Sequence, residues 1–182
     1  RSQLFLAYQP IIDVGTHEMV AAEALLRWLN PTRGLLSAGN VLETAGSVPV
    51  SVDSWCVSQA IAHAAEWSKR GFDLKVHANV SNPTAELFDR VLEYLESAHL
   101  PSNLIALEIS EHIVAKGTYD LAAFTARCRE AGIDVLLDRF SGALSLAGLR
   151  KLDLSAIKLS PEIVAALEHD RNAQSVARAA IN

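Results

Sequence analysis

The chain alternates between short apolar runs bounded by turn residues and longer segments in which apolar positions recur at helical spacing. Short apolar runs of this kind predict strands, and the periodic segments predict helices. The predicted strands are LFLAYQPIID, MVAAEALLRW, LKVHANVS, LIALEIS, IDVLLD and LSAIKLS, and the predicted helices cover residues 53–70, 83–98, 119–131 and 161 onward. This alternation indicates a parallel sheet covered by helices, either an open doubly wound sheet or a closed barrel.

Residues with special backbone preferences mark the ends of the predicted helices. Pro83 and Pro161 each follow a polar residue and are predicted in a first turn, where a missing backbone N–H is tolerated. Gly132 is predicted to end the third helix, because glycine readily adopts the left-handed conformation that is common after a helix. Asp53 is predicted to cap the first helix with its carboxylate.

The length, composition and charge of the chain limit the kind of protein that it can be. Half of the 182 residues are apolar and a fifth are charged, which is enough for the core of one domain. A net charge of −5 with dispersed basic residues argues against a nucleic acid polymer as a partner. The sequence has no apolar run long enough to cross a bilayer and no secretory signal, so we expect a cytoplasmic chain. Cys56 and Cys128 lie too far apart for a metal knuckle or a redox pair, and free thiols fit a reducing compartment.

Polar residues stand near the C-terminal ends of successive predicted strands: Glu23, Asn79, Glu108, Asp138 and Lys158. Taken singly, each is explained as a helix cap or a solvated turn residue. Together they predict one shared rim, which is where a (β/α)8 barrel builds its active site. Their carboxylate and amide oxygens suit magnesium, manganese or calcium, and the lysine would offset a developing negative charge. His77 lies on the same strand face one layer below and is interpreted as a core histidine.

The motifs that carry these residues resemble those of a known family. YQPII, EALLRW, ANVS, LEISE, LLDRF and AIKLS follow one another in the order and spacing of the EAL domains. These are bacterial phosphodiesterases that hydrolyse cyclic di-GMP to the linear dinucleotide pGpG, and the resemblance covers practically the whole chain. It implies an α/β fold, a modified (β/α)8 TIM-like barrel with an antiparallel first strand. Residues 1–182 would form an EAL domain that is incomplete at its C-terminus, because the later family motif EGVE does not occur.

The resemblance also implies a role for each motif residue. Four residues are expected to bind a divalent ion, Mg²⁺ or Mn²⁺: Glu23, Asn79, Glu108 and Asp138. Lys158 is expected beside the attacking water, so Lys158 and Glu23 are the candidate catalytic residues. Gln9 and Arg27 fall on positions that help to hold the nucleotide, and Glu111 matches a residue that braces the loop after the fifth strand.

The chain departs from the family pattern beside the rim. Where the family has paired aspartates, this sequence has Asp138 followed by Arg139, which changes the local charge by two units. This change disfavours a second metal ion, so we expect one metal site rather than two, although the guanidinium of Arg139 could contact a phosphate directly. The alternative is that Arg139 swings outward and pairs with a surface acid. The following loop FSGALSL is one residue short, and Ser160 replaces the aspartate after the lysine motif.

The sequence leaves a choice among functions that share one fold. We favour a degenerate EAL domain that binds cyclic di-GMP or acts in regulation, with weak or absent hydrolysis. The first alternative is an active metal-dependent phosphodiesterase, and the second is a protein-binding scaffold that no longer uses the nucleotide. The resemblance further implies an upstream sensory or GGDEF domain and a possible homodimer.

Overall fold

The computed structural model describes residues 3–37 and 50–181. The strands are β1 (Leu4–Ile12), β2 (Met19–Asn30), β3 (Gly34–Ser37), β4 (Lys75–Asn79), β5 (Ile105–Ser110), β6 (Asp134–Phe140) and β7 (Ala156–Leu159). The helices are α1 (Val50–Lys69), α2 (Ala85–Ala98), α3 (Glu111–Lys116), α4 (Leu121–Glu130), α5 (Leu146–Leu149), α6 (Pro161–Ala166) and α7 (Arg171–Ile181). A short 3-10 helix, Ser102–Leu104, precedes β5. None of the helices in these two ranges is both long enough and apolar enough to cross a membrane.

The strands form one sheet in the order β1-β2-β4-β5-β6-β7, and β3 pairs with β2. β1 runs antiparallel to β2, and the pairs from β2 through β4, β5 and β6 to β7 are parallel. The predicted α/β fold with a parallel sheet and an antiparallel first strand is therefore confirmed. Within the described residues the sheet does not close into a barrel, since β1 pairs only with β2 and β7 only with β6.

The core explains why the rim residues face one way. Ile105, Leu107 and Ile109 of β5 pack into the main apolar cluster together with α1, α2 and α4. Side chains alternate along a strand, so Ala106 and Glu108 point to the opposite face of the sheet. Both faces of β5 are buried, which is why its sequence is almost continuously apolar and why Glu108 stands out in it.

The helix boundaries follow the predicted terminal residues in two cases, Pro161 and Gly132, and differ in two, Pro83 and Asp53. Ser160 caps α6 by accepting a hydrogen bond from the backbone N–H of Ile163, with proline in the first turn as predicted. Gly132 follows α4 with a φ of 75°, in agreement with its predicted role. The prediction that α2 starts at Pro83 is wrong, because Thr84 caps the helix with its hydroxyl and the helix begins at Ala85.

Asp53 is not the cap of α1, which was the prediction from sequence. The helix begins before it, and Asp53 is a buried residue of the first turn. Its Oδ2 accepts hydrogen bonds from the backbone N–H groups of Ser81 (2.9 Å) and Asn82 (2.7 Å) and from the Asn82 amide (2.9 Å). Burial raises the pKa of Asp53 above its usual value, and the hydrogen bonds from Asn82 and Ser81 only partly oppose this. Asp53 thus ties α1 to the loop that follows β4.

Candidate functional site

The polar residues predicted to share a rim meet around the ammonium group of Lys158. Lys158 Nζ lies 2.6 Å from Glu23 Oε2, 2.7 Å from Glu108 Oε2 and 3.7 Å from Asp138 Oδ1. Asn79 Nδ2 donates to Glu23 Oε1 at 3.2 Å. These residues come from β2, β4, β5, β6 and β7, so the convergence predicted from the sequence is confirmed. We call this group the rim cluster.

Glu108 is the most enclosed member of the rim cluster, and both of its oxygens have partners. His77 Nδ1 lies 2.8 Å from Oε1, and Lys158 holds Oε2. Burial acts to raise the pKa of Glu108, but the hydrogen bonds from His77 and Lys158 outweigh it and hold the pKa below its usual value. An ionised carboxylate only accepts hydrogen bonds, so Nδ1 of His77 carries the proton and donates. The sequence interpretation of His77 as a core histidine missed this contact with a site residue.

The surroundings raise the pKa of both Lys158 and Asp138, for different reasons. Burial acts to lower the pKa of Lys158, but hydrogen bonds to Glu108 and Glu23 outweigh burial and raise it, so the ammonium form persists. Burial is the main cause of a raised pKa at Asp138, with Lys158 opposing it and Glu108 and Glu23 adding to it. A cation placed beside Asp138 would oppose this rise in its pKa and favour the ionised carboxylate.

Arg139 occupies an irregular part of β6. Its φ of 56° is left-handed, and the pairing of β6 with β7 shifts register between Leu137 and Phe140. The side chain is exposed and makes no ion pair with any residue in the described ranges. The backbone amide of Glu162 itself is the main reason for the lowered pKa of that carboxyl, and Arg139 adds only a smaller electrostatic contribution. The structure thus does not provide the surface ion pair that the alternative interpretation of Arg139 requires.

A cavity of about 280 Å³ opens beside the rim cluster. Most of its polar lining comes from the ends of β4, β5 and β6 and includes Asn79, Glu108, Asp138 and Arg139, and α1 adds Asp53. Apolar side chains of β2 and the first turns of α1 form much of the remaining wall, among them Leu25, Leu26 and Val52. A cavity that combines apolar walls with a few convergent polar groups is typical of a small-molecule site.

Gln9 and Arg27, the predicted nucleotide-binding residues, lie on the strands beside Glu23. Gln9 of β1 is the register partner of Glu23 on β2. Arg27 is four residues further along β2 and therefore on the same face as Glu23, and its Nη1 donates to the carbonyl of Leu26 at 2.9 Å. Among the described residues, neither side chain is hydrogen-bonded to the rim cluster.

Glu111, the predicted loop-bracing residue, contacts the loop that follows β6. Its Oε2 accepts hydrogen bonds from the backbone N–H and the hydroxyl of Ser141, at 2.8 Å and 2.5 Å, and its Oε1 accepts one from the N–H of Leu144 at 3.1 Å. Burial acts to raise the pKa of Glu111, but hydrogen bonds from Ser141 and Leu144 outweigh it and lower the pKa. The first residue of α3 thereby fixes the loop that follows β6, beside Arg139.

The donor set of the rim cluster has the chemistry that a hard divalent ion needs. Glu23, Glu108 and Asp138 supply carboxylate oxygens, and Asn79 supplies an amide oxygen. In the described residues no group of three histidine, cysteine, aspartate or glutamate side chains is already arranged to hold a metal ion. Lys158 occupies the space between the carboxylates, and its flexible stem allows the ammonium to withdraw. The residues therefore fit one divalent ion if the Lys158 ammonium moves out from between the carboxylates.

The sheet is largely parallel, and its acidic and basic side chains gather near one end of the parallel pairing, with Glu23 in the middle of the long strand β2. This arrangement defines a TIM-barrel-like protein with a rim site. The profile of the EAL domain family matches residues 1–182, and the chain belongs to this family. The resemblance in the sequence motifs is thereby confirmed over the whole chain.

Individual relatives agree with this assignment. The chain is 29% identical over 182 residues to "Cyclic di-GMP phosphodiesterase PA2567" of Pseudomonas aeruginosa, covering 97% of this chain and 31% of that protein. It is 31% identical over 169 residues to "Uncharacterized protein Rv1354c" of Mycobacterium tuberculosis, covering 88% of this chain and 27% of that protein. The solved structure "PaMucR Phosphodiesterase, c-di-GMP complex" matches with a TM-score of 0.84 and 27% identity, over 98% of this chain and 75% of that chain. The chain thus spans about a third or less of the curated relatives named here.

Proposed function

We propose that this chain is an EAL module of cyclic di-GMP signalling that binds the nucleotide at the rim and hydrolyses it weakly or not at all. The observation that carries the proposal is Arg139, which follows Asp138 where the family has a second aspartate and lines the same cavity as the rim cluster. An exposed guanidinium without an ion-pair partner among the described residues is available to a phosphate. The similar structure of PaMucR is a complex with c-di-GMP, a ligand that carries two phosphates.

The charges of the rim favour one divalent ion over two. Glu23, Glu108 and Asp138 together with Lys158 leave two formal negative charges, which one divalent ion neutralises. Arg139 then gives this end of the sheet a positive charge, which attracts a phosphate and repels a second divalent ion. A pair of metal ions in a phosphodiesterase stabilises both the attacking and the leaving oxygen, so a single ion supports binding better than hydrolysis.

The active enzyme remains the alternative because one observation favours it. All five residues of the rim cluster are ones that the family resemblance assigns to metal binding or catalysis, and Lys158 is charged and in contact with Glu23 and Glu108. The relative PA2567 is named a phosphodiesterase. A homodimer, a cytoplasmic location and an upstream sensory or GGDEF domain stay predictions from the sequence.

Calorimetric titration of cyclic di-GMP tests the proposal. The variants are Arg139→Ala and, as a matched control, Arg90→Ala, since Arg90 is an exposed arginine on α2 that pairs with Glu86. We expect wild type and Arg90→Ala to bind alike, and Arg139→Ala to bind about tenfold or more weakly, because a charge-assisted hydrogen bond to phosphate contributes about 1.5–3 kcal/mol.

Chromatography of the titrated sample separates the other functions. Intact cyclic di-GMP at the end of the titration supports the proposal. Rapid appearance of pGpG with wild type would establish the active enzyme instead. Failure of wild type to bind the nucleotide, with or without Mn²⁺, would leave the scaffold function.

A further inference from the structure

The contact between His77 and Glu108 goes beyond ordinary core packing. The exposed fraction of the side chain is 10% for His77 and 0% for Glu108, and Nδ1 lies 2.8 Å from Oε1. Their strands are parallel neighbours, with Asn79 in register with Glu108. His77 precedes Asn79 by two residues on the same face, so it reaches Glu108 from the layer beneath the rim. Oε1 is thereby occupied from the side that faces away from the strand ends.

The second oxygen of Glu108 is held from the other direction. Lys158 Nζ lies 2.7 Å from Oε2, and the same ammonium lies 2.6 Å from Glu23 Oε2. His77 takes one lone pair of Oε1 from the layer beneath the rim, whereas Oε2 is the oxygen that shares the Lys158 ammonium with Glu23 and Asp138. A divalent ion placed among these three carboxylates therefore competes with Lys158 for Oε2.

We propose that His77 is a positioning residue that orients Glu108 for ligation through Oε2, and that Lys158 competes with a divalent ion for this oxygen. The proposal rests on the proposed function in so far as that function places a divalent ion at the rim. Partners that orient a metal ligand in this way typically contribute about 10–100-fold to metal affinity. His77 would act on the ion only through Glu108, not by touching it.

Titration of Mn²⁺ in the absence of nucleotide tests the role of His77 in the full-length protein. His77→Leu removes the donor while keeping an apolar side chain, and His77→Asn keeps an amide N–H close to the position of Nδ1. His63→Leu is the matched control, because His63 Nδ1 is also in a hydrogen bond, 2.7 Å from the hydroxyl of Tyr8, but outside the rim cluster. We expect His77→Leu to weaken Mn²⁺ binding by about tenfold or more, and His77→Asn to recover most of that loss.

A thermal unfolding curve for each variant separates stability from metal binding. Both His77→Leu and His63→Leu are expected to lower the melting temperature, but only His77→Leu should change the Mn²⁺ affinity. Equal Mn²⁺ affinities for wild type and folded His77→Leu would overturn the role of His77. Weakening by His77→Asn to the level of His77→Leu would overturn it as well, since the retained donor would then have no effect.

Lys158→Met tests the competition without depending on any His77 variant. Removing the ammonium leaves the rim carboxylates with three formal negative charges and frees Glu108 Oε2. We expect Mn²⁺ to bind about tenfold or more tightly, since each tenfold step needs only about 1.4 kcal/mol of electrostatic gain. Unchanged or weaker Mn²⁺ binding would contradict the competition, and so would a wild type that binds no Mn²⁺. A protein that binds Mn²⁺ as described but not cyclic di-GMP would disprove the proposed function and leave this inference standing.

Discussion

Replacing Arg139 by aspartate is expected to raise the hydrolysis of cyclic di-GMP. The substitution removes one positive charge and adds one negative charge at a position that lines the cavity with Asp138 and Glu108. The backbone should accept the change, because a φ of 56° is left-handed and aspartate tolerates this region better than arginine does. The backbone conformation at this position should therefore not oppose folding of the variant, which thermal unfolding of both proteins in saturating Mn²⁺ checks.

The size of the effect follows from the charges around Lys158. With one divalent ion bound, the rim carboxylates and Lys158 are neutral, and Arg139 makes the site positive by one unit. Aspartate at this position makes it negative by one unit and supplies another oxygen ligand for a second ion. A second metal ion that stabilises the reacting oxygens contributes several kcal/mol to the transition state. Since about 1.4 kcal/mol corresponds to tenfold in rate, we expect an increase on the order of a hundredfold or more.

Arg139→Asn is the control that isolates the carboxylate. Asparagine also tolerates a left-handed backbone and has nearly the shape of aspartate, but it adds no negative charge. Turnover is measured as pGpG formed from cyclic di-GMP at saturating Mg²⁺ and then at saturating Mn²⁺. We expect Arg139→Asp to exceed both wild type and Arg139→Asn. Equal rates for Arg139→Asp and Arg139→Asn would refute the reasoning that a missing carboxylate limits hydrolysis.

Two further predictions concern the loop after β6. Glu111→Gln should reduce the free energy of unfolding by about 1–3 kcal/mol near neutral pH. Because the pKa of Glu111 is lowered in the folded protein, this stabilisation is present above its ordinary value of 4.5 and is lost as the pH falls through the lower folded value. Urea unfolding should therefore give the same free energy for wild type and variant in acid. Gly142→Ala should lower the free energy of unfolding by about 1–3 kcal/mol more than the control Gly34→Ala does. Both glycines have a positive φ (88° and 74°), but only at Gly142 would the added Cβ meet Val176, at 3.0 Å. Equal decreases for the two variants would contradict that packing argument.

The parallel sheet and the rim cluster could be predicted from the sequence because each depends on a strong local pattern. Strand β5 is buried, with helices on one face and the polar site on the other. Its sequence is therefore an apolar run with a single charged residue, Glu108, near its C-terminal end. Parallel pairing then brings such residues to the same end of the sheet. The short elements β3, α3 and α5 were not predicted, since four to six residues are too few to show a period.

The contacts of His77 and Asp53 could not be predicted, because they depend on how distant segments meet. His77 bonds to Glu108 across two neighbouring strands, and only their register shows that the side chains touch. Asp53 has the composition of a helix cap, but its acceptor oxygen is used by the loop at Ser81 and Asn82 rather than by its own helix. A local sequence pattern can indicate that a side chain will accept hydrogen bonds from backbone N–H groups, but it does not show which N–H groups these will be.

The central claim is that the rim binds cyclic di-GMP while Arg139 in place of a carboxylate suppresses its hydrolysis. The most direct measurement is the amount of pGpG released when wild-type protein, at a concentration that binds nearly all of the nucleotide, is incubated with cyclic di-GMP and saturating Mn²⁺. The account predicts that the bound nucleotide stays intact, or is linearised far more slowly than by Arg139→Asp under the same conditions. Complete and rapid conversion to pGpG by the wild type would contradict it.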